Sequence, residues 1–280
     1  MKLFSTSLLL LLSTCAYQLS YAEELVFGIY ANEQPRAIVK KFRPILDQLE
    51  RSISLELNRP VTIKMDVART YQEGISRLIK NEVDFSRFGA ASYILSKNKN
   101  KHIRLIAVER KKGELFFDGA ICVQTGSPIA TLSDLQGRSF AFGEQNSTIG
   151  RYLSQQMLNA AGVNESDLDH HDYLDRHDRV GIAVAEGLYE AGALNANTLK
   201  SLQAKGYQLQ TISTFPVPTK PWIASSGIDP VVFRALQDAL IGLPESKGLD
   251  YTTVTEEGRH FASIIKAIDS NSKFFIHDQI

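Results

Sequence analysis

Short β-type runs alternate with stretches of helical periodicity along most of the chain, and this alternation restricts the fold more than any other feature. Residues 25–30 read as a strand. Apolar residues then recur at helical spacing (Ile38, Val39, Phe42, Leu46, Leu49, Ile53, Leu57), which predicts a helix over 36–57 that Pro60 terminates. A strand is expected over 61–67, a helix over 71–80, a strand over 83–88 entering the turn Gly89-Ala90-Ala91, and another strand over 103–109. Such βαβ alternation implies a mostly parallel sheet flanked by helices. A second set begins near Gly119, with strands over 120–124, 139–142, 170–173, 190–194 and 209–213 and a helix over 176–186. Helices over 230–241 and 256–267 close the chain and bring no further strands. The second set is therefore read as an insertion in the first, giving two α/β lobes joined near Gly119 and near 215–218.

The start of the chain has a different character. Lys2 precedes the apolar run 8–12, and Ser20-Tyr21-Ala22 is a small-x-small cleavage pattern. This is the layout of a secretory signal, and the run is too short for a permanent membrane span. Residues 1–22 are expected to be removed and the protein to work in the periplasm. The segment Leu12-Ser13-Thr14-Cys15 offers a second route, lipid attachment at Cys15. The remaining chain divides into 23–118 with 219–280 as the first lobe and 119–218 as the second. Basic and acidic residues balance at 31 each, which argues against nucleic acid or an anionic membrane surface as partner. After cleavage only Cys122 remains, so no internal disulfide forms. Its setting, Ala120-Ile121-Cys122-Val123, reads as a buried small hydrophobe rather than a catalytic thiol.

Three constellations have chemical content. The segment Phe140 to Arg151 runs from a strand through a polar turn to a helix start at Ser147-Thr148. Free N–H groups at a helix start carry partial positive charge, and two hydroxyls there complete an anion seat; ordinary helix capping by Asn146 or Ser147 is the competing reading. No Gly-Lys-Ser/Thr follows, so a nucleotide-hydrolysing loop is not indicated. His177 opens the helix carrying Val180, Ala183 and Val184, and Glu190 stands at the end of a small-residue strand, a place that often faces a cleft. Asp167, Asp169, His170, His171, Asp172, Asp175, His177 and Asp178 contain metal-ligand types. Adjacent His170 and His171 point oppositely on a strand, however, and the spacing matches no zinc pattern, so a solvated acidic loop is the favoured reading and no metal or cofactor is expected. Trp222, after three prolines, is read as core in preference to cleft lining.

Taken in order, Asp84 to Tyr93, Asp134 to Phe142, Asn146-Ser147-Thr148-Ile149-Gly150, His177 and Gly187 to Ala193 resemble the phosphate/phosphite/phosphonate periplasmic binding proteins of the PhnD type. The resemblance implies the two-lobed type II periplasmic binding protein fold, with no catalysis and a small oxyanion held between the lobes. It implies that Ser147 and Thr148 bond the oxyanion, that His177 contacts it, that Tyr93 and Tyr71 close the pocket from the first lobe, and that Glu190 takes the place of a customary Asp. The chain departs from the family turn Asp-Pro-x-Ser-Thr-Ser-Gly: Glu144-Gln145 replaces Asp-Pro, and Ile149 replaces the second Ser. One missing donor to a charged oxygen is worth roughly 1.5–3 kcal/mol, about ten- to hundredfold in affinity. Phe117 stands where the family often has Tyr. Arg87 lies close enough to the motifs to replace a lost donor, and Arg151 is read as a surface residue. The implied partner is the permease of an ABC transporter or a sensor kinase, approached by a monomer. The rival from another class is an enzyme acting on a phosphorylated substrate.

Overall fold

A computed structural model of the chain describes residues 22–30, 35–246, 249–254, 259–271 and 274. The segment read as an export signal, up to Tyr21, and Cys15 lie outside the described residues.

The first sheet begins with β1 (Glu23–Tyr30), crosses over through α1 (Pro35–Leu57) and returns in parallel as β2 (Val61–Ala68). The periodic apolar face of α1 explains its placement: Ile38, Phe42, Leu46, Leu49 and Ile53 are buried on the sheet. Then follow α2 (Tyr71–Ile79), capped by Thr70 accepting from the Glu73 N–H at 3.1 Å, and β3 (Phe85–Arg87), parallel to β1. α3 (Ala90–Lys99) and β4 (Arg104–Lys111) complete the first pass.

The chain then enters a second sheet with β5 (Phe116–Gln124) and β6 (Phe140–Phe142). A helical segment starts as a π-type turn, Thr148–Leu153, and continues as α4 (Ser154–Ala160). β7 (His171–Tyr173), α5 (His177–Ala185), β8 (Ala191–Asn195), α6 (Ala196–Ala204) and β9 (Leu209–Pro218) follow. The long β9 leads back to the first sheet, where the chain adds β10 (Pro221–Ala224), α7 (Pro230–Ile241), β11 (Leu249–Thr252) and α8 (Arg259–Asp269). The strand orders are β11-β4-β10-β3-β1-β2 and β7-β6-β8-β5-β9. Each sheet with its helices forms one α/β lobe.

The returning chain differs from the sequence expectation. It contributes two strands, and both pair antiparallel, β10 between β3 and β4 and β11 on the outer side of β4. Antiparallel pairing also joins β5 to β8 and β9, so both sheets are mixed and parallel pairing is less dominant than the alternation implies. β10 is four residues long and opens on Pro221, so it carries no alternating pattern to read. α3 and α6 were also not anticipated. In α3 the buried side chains include Ser92 and Ser96, so its inward face is not marked by hydrophobicity alone.

Trp222 is fully buried in the first lobe. It stacks on Phe27 with ring centroids 5.0 Å apart, and its indole N–H donates to Glu109 at 3.2 Å. Glu109 accepts two bonds from Arg87, at 2.5 and 2.8 Å, so the indole, carboxylate and guanidinium form one buried network below the junction of the lobes. Burial, and not catalytic activation, also describes Cys122: its thiol is pushed up to about 12 by desolvation.

Candidate binding site

The site is built where the parallel strands of both lobes end. In the second lobe, β6 runs into Gly143 and the chain turns sharply back into the helix at Thr148. The turn is tight because two glycines touch: the Gly143 N–H donates to the Gly150 carbonyl at 2.9 Å, and a Cβ on Gly150 would lie 2.7 Å from the Gly143 Cα. The Ser147 hydroxyl caps the helix by accepting from the Gly150 N–H at 3.0 Å. The Ser147 carbonyl accepts from both Arg151 and Tyr152, at 3.2 and 3.3 Å, which widens the first turn into a π-turn. In the first lobe, β3 ends at Arg87 and α3 starts after Gly89, which offers no side-chain cap.

These two helix starts face each other across the junction. The Ala91 N–H donates to Thr148 Oγ1 at 3.0 Å, and the Ser92 hydroxyl donates to the Asn146 carbonyl at 3.2 Å. Tyr30, at the end of β1, accepts from the Gly89 N–H at 2.6 Å and stacks on Tyr71 at 3.7 Å between centroids. Gly89 leaves room for this close approach. A methyl group on it would lie 3.1 Å from Thr148 Oγ1, 3.2 Å from Tyr30 Oη and 3.5 Å from Lys220 Nζ. Two positive helix ends and an ammonium group thus converge on one place, an arrangement that disfavours itself unless an anion is present.

Beside this point lies a cleft of about 700 Å³, lined among others by Tyr71, Arg87, Phe117, Ile149, His177, Asn195, Thr219 and Lys220. Two of the polar atoms buried at its wall have no hydrogen-bond partner among the described residues, Thr219 Oγ1 and His177 Nδ1. Desolvation and the neighbouring Lys220 push the His177 imidazole down to about 4, so it is neutral at pH 7 and can donate or accept. Lys220 is itself lowered to about 8, by desolvation first and then by Arg87 and Lys41. Burial raises the Tyr30 phenol to about 12 and holds the Tyr71 phenol well above its usual range, so both remain neutral. Desolvation also raises Glu144, in the turn itself, to about 7.

The structure brings together four of the six residues singled out in the sequence and separates two. Tyr71 and His177 line the cleft. Ser147 and Thr148 stand directly behind its wall, almost fully buried, with their hydroxyl oxygens already accepting from Gly150 and Ala91. Glu190 is a correction. It precedes β8, whose far end, Asn195, reaches the cleft about 16 Å further along the strand. Its carboxylate pairs with Arg138 at 2.8 Å and accepts from the Ser139 N–H at 3.0 Å, tying the starts of β6 and β8. Tyr93 is the second correction. Its ring is buried on α3 against Phe261, 5.1 Å between centroids, inside the core and not in the cleft.

Arg87 reaches the cleft but is held by Glu109, and Arg151 bonds Asn271 and the Gln145 carbonyl. The acidic and histidine-rich segment disperses: His170 pairs with Asp169, His171 with Glu165, and of that segment His177 and Asp178 reach the cleft. Among the described residues no three of His, Cys, Asp and Glu gather as a metal site would require. Sequence reasoning missed Tyr30, Asn195, Thr219 and Lys220. Lys220 had a signal: it is the single charge in the Pro216 to Pro221 crossing, which must pass the cleft in any two-lobed arrangement.

Two mixed α/β lobes with a polar cleft between them define the type II periplasmic binding protein class, and solved structures of that class superimpose on most of the chain. XAC2383 from Xanthomonas citri, solved bound to ATP, gives a TM-score of 0.75 at 17% identity, covering 90% of this chain and 99% of that one. PhnD1 from Prochlorococcus marinus (MIT 9301), in complex with methylphosphonate, gives 0.73 at 19% identity, covering 90% and 99%. Residues 27–270 match the family of periplasmic substrate-binding proteins of phosphonate ABC transporters, and the chain belongs to that family. A curated relative, the probable ABC transporter phosphite binding protein PhnD1 of Prochlorococcus marinus (strain MIT 9301), is 26% identical over 172 residues. That match spans 57% of this chain and only 56% of the relative's length.

Proposed function

We propose that the protein captures a phosphorus oxyanion of the phosphonate class between its lobes and delivers it, in the periplasm, to the permease of an ABC transporter. The observation that carries this reading is the convergence of two helix starts, one from each lobe, beside a lysine with no ion-pair partner among the described residues. Thr148 Oγ1 only accepts in its bond from Ala91, so its own proton is available to an anion. Neutral Tyr71 and His177 add hydrogen bonds without adding charge, and Lys220 supplies the counter-charge. The named ligands of the relatives, phosphite and methylphosphonate, belong to the same class. The connections between β4 and β5 and between β9 and β10 serve as the hinge, and closing it excludes water, which strengthens every bond to the charge.

The test is thermal unfolding with methylphosphonate, phosphite, phosphate, a sulfonate and a dicarboxylate. A phosphorus oxyanion at about 100 times its Kd contributes about 2.7 kcal/mol and raises the Tm by roughly 5 °C. Ser147→Ala with Thr148→Ala removes that rise. Stabilisation by none of the anions, or a rise that survives the double substitution, contradicts the reading.

A further inference from the structure

The cleft is larger and more cationic than one small oxyanion requires. Its walls carry Lys41, Arg87, Lys111, Arg176, Lys205 and Lys220 against only Glu109 and Asp178. Both acids are spoken for: Glu109 is bound to Arg87 through two bonds, and Asp178 to Arg176 through two more. Lys111, Lys205 and Lys220 form no ion pair among the described residues. They come from different parts of the molecule. Lys111 ends β4 of the first lobe, Lys205 caps the C-terminal end of α6 in the second, and Lys220 sits in the crossing between them. Closing the lobes therefore gathers like charges from both sides around about 700 Å³ of solvent.

A phosphoryl-type group carries about −1.5 to −2 at neutral pH. Placed at Lys220 and the helix starts, it compensates that charge and leaves Lys111 and Lys205, one from each lobe, unbalanced in the same cleft. A cleft of this volume is in the range that encloses an organic ligand of drug-like size, several times larger than methylphosphonate. The second lobe also lines the cleft with neutral hydrogen-bonding side chains, Asn195, Asn197, Thr198 and Ser201, which suit a polar linking group.

We propose that the preferred ligand is a bis-anionic phosphorus compound, with one phosphonyl or phosphoryl group at Lys220 and a second phosphoryl or carboxylate group held between Lys111 and Lys205. This inference rests on the oxyanion reading of the same cleft and names the ligand class more narrowly. The two lysines bind the second group from opposite lobes, so the second group rewards closure.

Titration calorimetry tests it with methylphosphonate and phosphate as single anions and phosphonoacetate, 3-phosphonopropionate and pyrophosphate as bis-anions. At least one bis-anion is expected to bind about tenfold tighter or better than methylphosphonate. Lys111→Ala with Lys205→Ala, both exposed positions, is expected to cut that advantage to about threefold or less and to leave methylphosphonate affinity within about twofold. Methylphosphonate binding as tightly as every bis-anion overturns the proposal, as does a double substitution that weakens both classes equally. Binding of no anion of either kind overturns the oxyanion reading itself, and this inference falls with it.

Discussion

Lys220 is the residue on which the electrostatics of the cleft turn. Its ammonium is lowered to about 8 because it is desolvated and because Arg87 and Lys41 outweigh Glu109 around it. The sign follows from linkage. The folded state disfavours the protonated lysine, a cost present in full below pH 8 and relieved as pH rises from about 8 towards the unfolded value near 10.5. A bound anion reverses the imbalance and raises the lysine again. Binding is therefore accompanied by proton uptake just above pH 8, and affinity falls with rising pH there by up to about tenfold per unit. Calorimetry in buffers of different ionisation enthalpy reads the uptake directly. Lys220→Gln should weaken binding and abolish the uptake that the wild type shows above pH 8; an identical pH profile in wild type and variant contradicts the role given to this lysine. His177, at about 4, stays neutral through that range and contributes no slope.

Among the elements, the turn from Gly143 to the π-turn at Thr148–Leu153 decides what the cleft can hold. Ile149, which the family resemblance places where a second hydroxyl is expected, lines the cleft. Ile149→Ser places a donor at the helix start. It is expected to tighten methylphosphonate binding about tenfold or more by calorimetry, the worth of one hydrogen bond to a charged oxygen. Ile149 is also almost fully buried, so the same change lowers the Tm through lost apolar burial. An unchanged or weaker affinity shows that this position does not face the bound anion.

This element was also the most legible part of the site. Ser147 and Thr148 can be read from a strand, a polar turn and a helix start, because capping and anion binding use the same local chemistry. Glu190 and Tyr93 were misplaced for a shared reason: their neighbourhoods depend on long-range pairing. A strand's two ends look alike in sequence, and only the pairing of β6 with β8 shows that Asn195, not Glu190, reaches the cleft. Tyr93 faces the core because α8 returns across α3, more than 160 residues later in the chain. β10 and β11 were hidden for the complementary reason. Each has four residues: β10 does not alternate, and the alternation of β11 is too short to mark a strand.

At the scale of the molecule, the lobes are joined by more than the cleft. One apolar cluster runs from Tyr30, Phe88 and Tyr93 of the first lobe to Phe140, Phe142 and Phe215 of the second. α8 lies against both, packing on α3 and on the π-turn at Thr148. With Ala91 bonded to Thr148 across the junction, the structure has the two helix starts in contact, as a closed form would. Under the proposed function, ligand entry requires the hinge to open, and capture re-forms this contact beside the anion. The most direct measurement is a crystal structure of the protein grown with saturating methylphosphonate. The account predicts phosphonate oxygens within about 2.7–3.2 Å of Thr148 Oγ1 and Lys220 Nζ, between the starts of α3 and the Thr148 helix. A cleft without ligand under those conditions, or a phosphonate bound away from both atoms, contradicts it.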